Sequence, residues 1–132
     1  MLGEQIGEAT GKRIVRRILS TEPPQAEVTF EDIGTMLGVG ISQTGTYTAV
    51  VRADGTMFGD GNGMMITVDG EMILWKGSGI GRFGAGGSVS YRGMIYYQTA
   101  SQKLARLNSM CGAFEFNVDA NGATSGKIWE WK

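Results

Sequence analysis

The chain contains no histidine and a single cysteine, Cys111, among 132 residues. Without an imidazole there is no Ser-His or Cys-His nucleophile, no histidine base and no ordinary zinc site. One thiol cannot close an internal disulfide. Only two prolines occur, side by side at Pro23-Pro24. Neither sign of charge dominates: 12 basic and 13 acidic side chains give a formal net charge of -1. That balance sets up no field for nucleic acid or an anionic membrane. No stretch approaches the ~20 apolar residues of a membrane-spanning helix. The N-terminus, Met1-Leu2-Gly3-Glu4-Gln5-Ile6-Gly7-Glu8, lacks the apolar core of a secretory signal. These absences predict a cytoplasmic protein without nucleic-acid or membrane partners. No linker or low-complexity tract divides the chain, so one domain over 1–132 is expected.

What the chain has in quantity is glycine, 22 residues of it. Asp54-Gly55, Asp60-Gly61-Asn62-Gly63, Asp69-Gly70, Gly86-Gly87 and Asn121-Gly122 are turn signals, as is Pro23-Pro24. Asp-Gly and Asn-Gly supply the positive φ that two-residue hairpin turns need. Between the turns the chain alternates. Ala26, Val28 and Phe30 share one face, as do Tyr47, Ala49 and Val51. Val89, Tyr91, Ile95 and Tyr97 share another, and so do Phe114, Phe116 and Val118. Period-two alternation means strands buried on one face. Strands are predicted near 12–19, 26–33, 36–42, 45–53, 56–68, 71–83, 87–98 and 112–119, with a final strand near 126–131. A meander of that length hides its edges best by closing, so the fold class is all-β: a closed antiparallel barrel of about eight strands. Gly77, Gly79, Gly81 and Gly93 suit bulges or sharp bends. Residues 12–19 also fit a helix, because Ile14, Val15, Ile18 and Leu19 oppose Lys12, Arg13, Arg16 and Arg17. Thr99 and Gln102 have capping-box spacing, which predicts one short helix near 100–108 as a plug for the barrel.

The motifs are weaker than the pattern. Gly79-Ile80-Gly81-Arg82-Phe83-Gly84 spells a dinucleotide fingerprint, but no helix and no ribose-binding acid follow, so a glycine-rich bend is expected. Asp60-Gly61-Asn62-Gly63 opens like a calcium loop, yet Met64 and a missing final glutamate make it a plain turn. No metal site and no cofactor follow from these residues. The basic cluster at residues 12–17 lacks interleaved aromatics, which favours a solvated face or a subunit contact. Cys111 is expected buried and inert. The aromatics carry more chemistry. Trp75, Tyr91, Tyr97 and Trp129 are the candidate ligand-binding residues, since inward rings present an apolar wall with polar tips. Glu130 is the one catalytic candidate: facing inwards with Ile128, it would be a carboxylate among aromatics with a raised pKa. The alternative puts Trp129 and Trp131 inside and Glu130 in water.

The ordered set Gly70-Glu71-Met72, Trp75-Lys76-Gly77, Gly81-Arg82-Phe83, Arg92-Gly93, Leu104-Ala105-Arg106-Leu107-Asn108, Phe114-Glu115 and Trp129-Glu130-Trp131-Lys132 resembles a family of small uncharacterised prokaryotic proteins. Their closed barrel is similar to that of allene oxide cyclase and the dirigent proteins. The resemblance implies an allene-oxide-cyclase-like, calycin-like barrel with a lumen suited to apolar molecules. It transfers no catalytic residue, and shared fold does not fix function.

Three functions are open to such a chain. The first is binding of a small, mainly apolar ligand in the lumen. The second is a cyclase or isomerase that acts by shape on a reactive apolar substrate, with Glu130 as acid or base. The third is a ligand-free structural or oligomerising barrel. A homo-oligomer, dimer or trimer, is expected in any case. Ile33, Met36, Leu37, Val39, Ile41, Met57, Met64, Met65, Met72 and Met94 are too many for one small lumen, so some must lie outside.

Overall fold

A computed structural model describes residues 1–132. Eight strands run in chain order: β1 (Leu2–Thr21), β2 (Pro24–Met36), β3 (Val39–Val51), β4 (Met57–Thr67), β5 (Met72–Phe83), β6 (Val89–Thr99), β7 (Cys111–Val118) and β8 (Ala123–Trp131). Each pairs antiparallel with the next, and β8 returns to β1, so the sheet is a closed barrel without a full-length edge. No helix of the structure is long and apolar enough to cross a membrane.

The expected strands at 36–42 and 45–53 are one strand, β3, because Gly45 stays in register between Phe30 and Gly63. Residues 12–19 are strand, and the strand begins already at Leu2. Asp60-Gly61-Asn62-Gly63 is no turn but the middle of β4. Its odd-numbered glycines face the lumen while Asp60 and Asn62 face solvent. Gly77, Gly79, Gly81 and Gly93 sit in unbroken β5–β6 register, not at bulges. The register irregularities fall in β1: between Arg13 and Val15 and between Ile18 and Ser20 against β2, and between Leu2 and Gly7 against β8.

One end of the barrel is closed by residues 100–110. The helix expected near 100–108 is only a 3-10 turn, Ala105–Ser109. Two features account for this. Thr99 and Asn108 tie the segment together: the Thr99 N–H donates to Asn108 Oδ1 (2.8 Å), and Asn108 Nδ2 donates to the Thr99 carbonyl (3.0 Å). Leu104, Leu107 and Met110 are also buried at every third residue, which is the period of a 3-10 helix. They pack on Ile6, Met36, Ile41, Met65, Ile73, Tyr97 and Ile128 to form the main core. The other end carries the turns after β1, β3, β5 and β7 and is filled by side chains: Ala49, Met57 and Tyr91 are buried there, with Tyr47, Val51 and Val89 packed on them. Cys111 is exposed rather than buried. It opposes the exposed Tyr96 and Trp131, and its neighbour Gly112 takes the inward position.

Candidate functional site

Alternation sends Phe30, Tyr47, Trp75, Tyr91, Phe114 and Phe116 into the lumen from β2, β3, β5, β6 and β7. Most of these rings touch. Phe30 and Phe116 approach to 4.9 Å between centroids, and Tyr47 meets Tyr91 edge-on at 5.5 Å. So many rings fit because the facing wall has no side chains. A Cβ on Gly63 would stand 2.3 Å from the Trp75 indole, and one on Gly45 would meet both Phe30 and Trp75 within 2.7 Å. A Cβ on Gly81 would stand 2.6 Å from the Tyr91 ring, and one on Gly59 2.9 Å from it. The inward glycines of β4 and β5 are thus seats for aromatic rings.

The rings leave a cavity of about 90 Å³ between them, lined among others by Phe30, Tyr47, Trp75, Tyr91, Phe114 and Phe116. An apolar cavity of ~150 Å³ can hold benzene, so a guest here is smaller than a six-membered ring. Two polar side chains reach the same cavity, Asp32 and Gln43. They are register partners on β2 and β3. Gln43 Oε1 accepts the Trp75 indole N–H at 2.9 Å, which fixes the plane of the ring. Asp32 is 6% exposed, and its Oδ1 has no hydrogen-bond partner. Burial raises its pKa to about 6, and the Gln43 amide beside it pulls only weakly the other way. No charged side chain takes part in that shift. Burial likewise pushes the Tyr91 phenol up to about 12 and the Tyr47 phenol upward. Both stay neutral at any ordinary pH.

Towards the end opposite the plug, the first β1 bulge, between Arg13 and Val15, re-aims the residues that follow it. Arg13 and Arg16 come into register with the inward residues Phe30 and Val28, close enough for their charge to act on Tyr47. Arg17 faces outwards and pairs with Glu27 at 3.0 Å.

Of the expected site residues, Trp75 and Tyr91 line the cavity. Tyr97 points inwards too, but it belongs to the core above the plug, and its buried hydroxyl has no partner. Trp129 does not line the lumen. Ile128 and Glu130 take the inward positions of β8, which turns Trp129 and Trp131 to the outer face. Glu130 sits at the plugged rim, not in the cavity. Its Oε1 accepts from Arg106 Nη2 at 2.7 Å, and Arg106 also pairs with Glu4. Asp32 and Gln43 escaped sequence reasoning. The signal was present: extending Ala26, Val28, Phe30 by one more alternation puts Asp32 inside.

No family model matches the chain, and no curated protein does. Solved structures do. A protein of unknown function from Clostridium acetobutylicum has a TM-score of 0.84 at 12% identity, with 96% of each chain covered. A β-barrel-like protein from Acinetobacter baumannii gives 0.82 at 13% identity, over 100% of this chain and 96% of that one. An enzyme from Penicillium herquei gives 0.72 at 21% identity, over 96% and 92%. At these identities the likeness is one of fold: this chain is a small closed β-barrel of the kind those proteins share.

Proposed function

We propose that the barrel binds one small, mainly apolar molecule in its lumen. The observation that carries this reading is the cavity of about 90 Å³ walled by aromatic rings and bare glycine backbone. A core built only for stability would close such a space, since each unfilled methylene costs about 1 kcal/mol. Xenon fits a cavity of this size and needs no polar contact. Under xenon pressure the methyl signals of Ile95 and Ile128, which line the cavity, are expected to shift saturably. Unchanged methyl signals there would sink the proposal.

A cyclase or isomerase reading rests on a different observation. Asp32, not Glu130, is the carboxyl placed to move a proton inside an apolar lumen. The resemblance to allene oxide cyclase and dirigent barrels, and the likeness to a fungal enzyme, support it. Turnover of an identified substrate by Asp32→Asn at the wild-type rate would remove it.

The protein is also proposed to be a homo-oligomer. β8 pairs with β1 only as far as Lys12, so the backbone edge of β1 from Ile14 to Thr21 is uncovered on that side. Ile14, Val15, Ile18 and Leu19 on this segment are all exposed, and a bare apolar edge is a template for strand pairing. Antiparallel pairing with a second copy, centred on Ile18, sets Arg16 opposite Ser20 and Arg17 opposite Leu19, so no arginines face each other. Light scattering is expected to give about twice the 14.1 kDa chain mass and Ile18→Pro to give the monomer. A wild-type monomer at all concentrations contradicts the assembly. The exposed thiol of Cys111 accords with the reducing cytoplasm as its setting.

A further inference from the structure

The lumen holds a carboxyl that packing does not explain. Asp32 is buried with the Gln43 amide as its polar neighbour, it lines the cavity, and its Oδ1 has no hydrogen-bond partner. Buried polar atoms without partners are rare in native proteins. A second orphan lies in the same lateral row: the Thr124 hydroxyl on β8 is buried without a partner, across Gly11 from Asp32. With its carbonyl oxygen accepting from the Trp75 indole, Gln43 has only its amide N–H groups to offer the carboxylate, and Oδ1 is still left without a partner.

We infer that the Asp32 carboxyl is the specificity determinant of the lumen, and that the natural guest is a compact, uncharged molecule carrying one N–H or O–H donor. This deepens the lumen-binding reading and rests on it. The donor answers Asp32 Oδ1, and the rest of the molecule answers the rings. Charge is excluded from both directions. Arg13 and Arg16 lie close enough for their charge to act on Tyr47 in the lumen, which disfavours a cation beside the rings. The Asp32 carboxylate and the apolar wall disfavour an anion once inside.

Pyrrole and furan make the test, since they differ little in shape and only pyrrole has a donor. Binding is followed at pH 8 through the methyl signals of Ile95 and Ile128. Pyrrole is expected to bind at least about tenfold more tightly than furan, the size of a charge-assisted hydrogen bond. Asp32→Val, which keeps the size and loses the acceptor, is expected to bring the two to equal affinity. Equal binding of both by the wild type, or a preference that survives in Asp32→Val, overturns the inference while leaving an apolar lumen site intact. If xenon shifts those methyls but neither ring binds, the inference also falls. If nothing enters, xenon included, the lumen reading itself has failed.

Discussion

Trp75 donates its indole N–H to Gln43 Oε1 at 2.9 Å, and its ring occupies the space a side chain on Gly63 would need. One strand supplies the ring, a second the acceptor and a third the absence of bulk. The same division recurs at Tyr91, which lies against Gly59 and Gly81. The lumen is therefore a fitted stack of rings on glycine, and its remaining space depends on each of those glycines.

Gly63→Ala is expected to lower stability by about 2–3 kcal/mol, because a methyl 2.3 Å from the indole forces the ring off its seat. Gly126→Ala is the control. Its new methyl would meet only Phe116 and the Glu115 carbonyl, at ordinary contact distances of 3.5 and 3.6 Å. Urea unfolding should separate the two variants. Equal stability would mean that the ring is not seated as described.

Stability should fall as pH rises through about 6. The folded-state pKa of Asp32 is raised to about 6 from an ordinary 3.8, so between those values the folded protein holds a proton that the unfolded chain releases. Its contribution is complete below about pH 4 and is lost as pH climbs through the folded value, on the order of 2–3 kcal/mol. Glu4 and Asp54 have lowered pKa values and act in the opposite sense at more acidic pH. Unfolding of the wild type and Asp32→Asn at pH 4 and 7.5 isolates the Asp32 share. Parallel pH profiles for the two proteins would contradict it.

Leu107→Ala should cost about 2–5 kcal/mol, since Leu107 is fully buried in the plug. Its three-residue partners Leu104 and Met110 remain, so the barrel itself should persist with its β-sheet circular dichroism. Faster amide exchange confined to residues 99–111 and their strand partners is the local readout. Uniform acceleration over the barrel would show that the plug is not a separable unit.

Cys111 should react with a thiol reagent in the native protein, one equivalent per chain, without unfolding. Thermal stability of the labelled protein should stay close to that of the untreated one, because the side chain points to solvent. A thiol that reacts only in denaturant would show it covered, for example by a second copy.

The period-two alternation by itself determined the strand faces. Phe30, Tyr47, Tyr91 and Phe116 could only gather on one side of their strands, and eight such strands, most of them joined by short turns, hide their edges best by closing. Glycine defeated that local reading. Gly61 and Gly63 look like a turn in sequence and are strand: Gly63 leaves room for the Trp75 ring, which arrives from β5 a dozen residues on, and Gly61 lies close against the β3 backbone at Thr46 and Tyr47. The face of β8 was likewise a tertiary decision. Tryptophan is the larger apolar residue, but the register with β7 puts Ile128 opposite Phe114, which sends Trp129 out and Glu130 to the rim beside Arg106. The bulge between Arg13 and Val15 put Arg16, like Arg13 before it, opposite an inward residue of β2, and no local propensity announces a bulge. Asp32 was in phase with the core all along. Only the closed barrel, by burying one carboxylate oxygen without a protein partner, made that phase into a site.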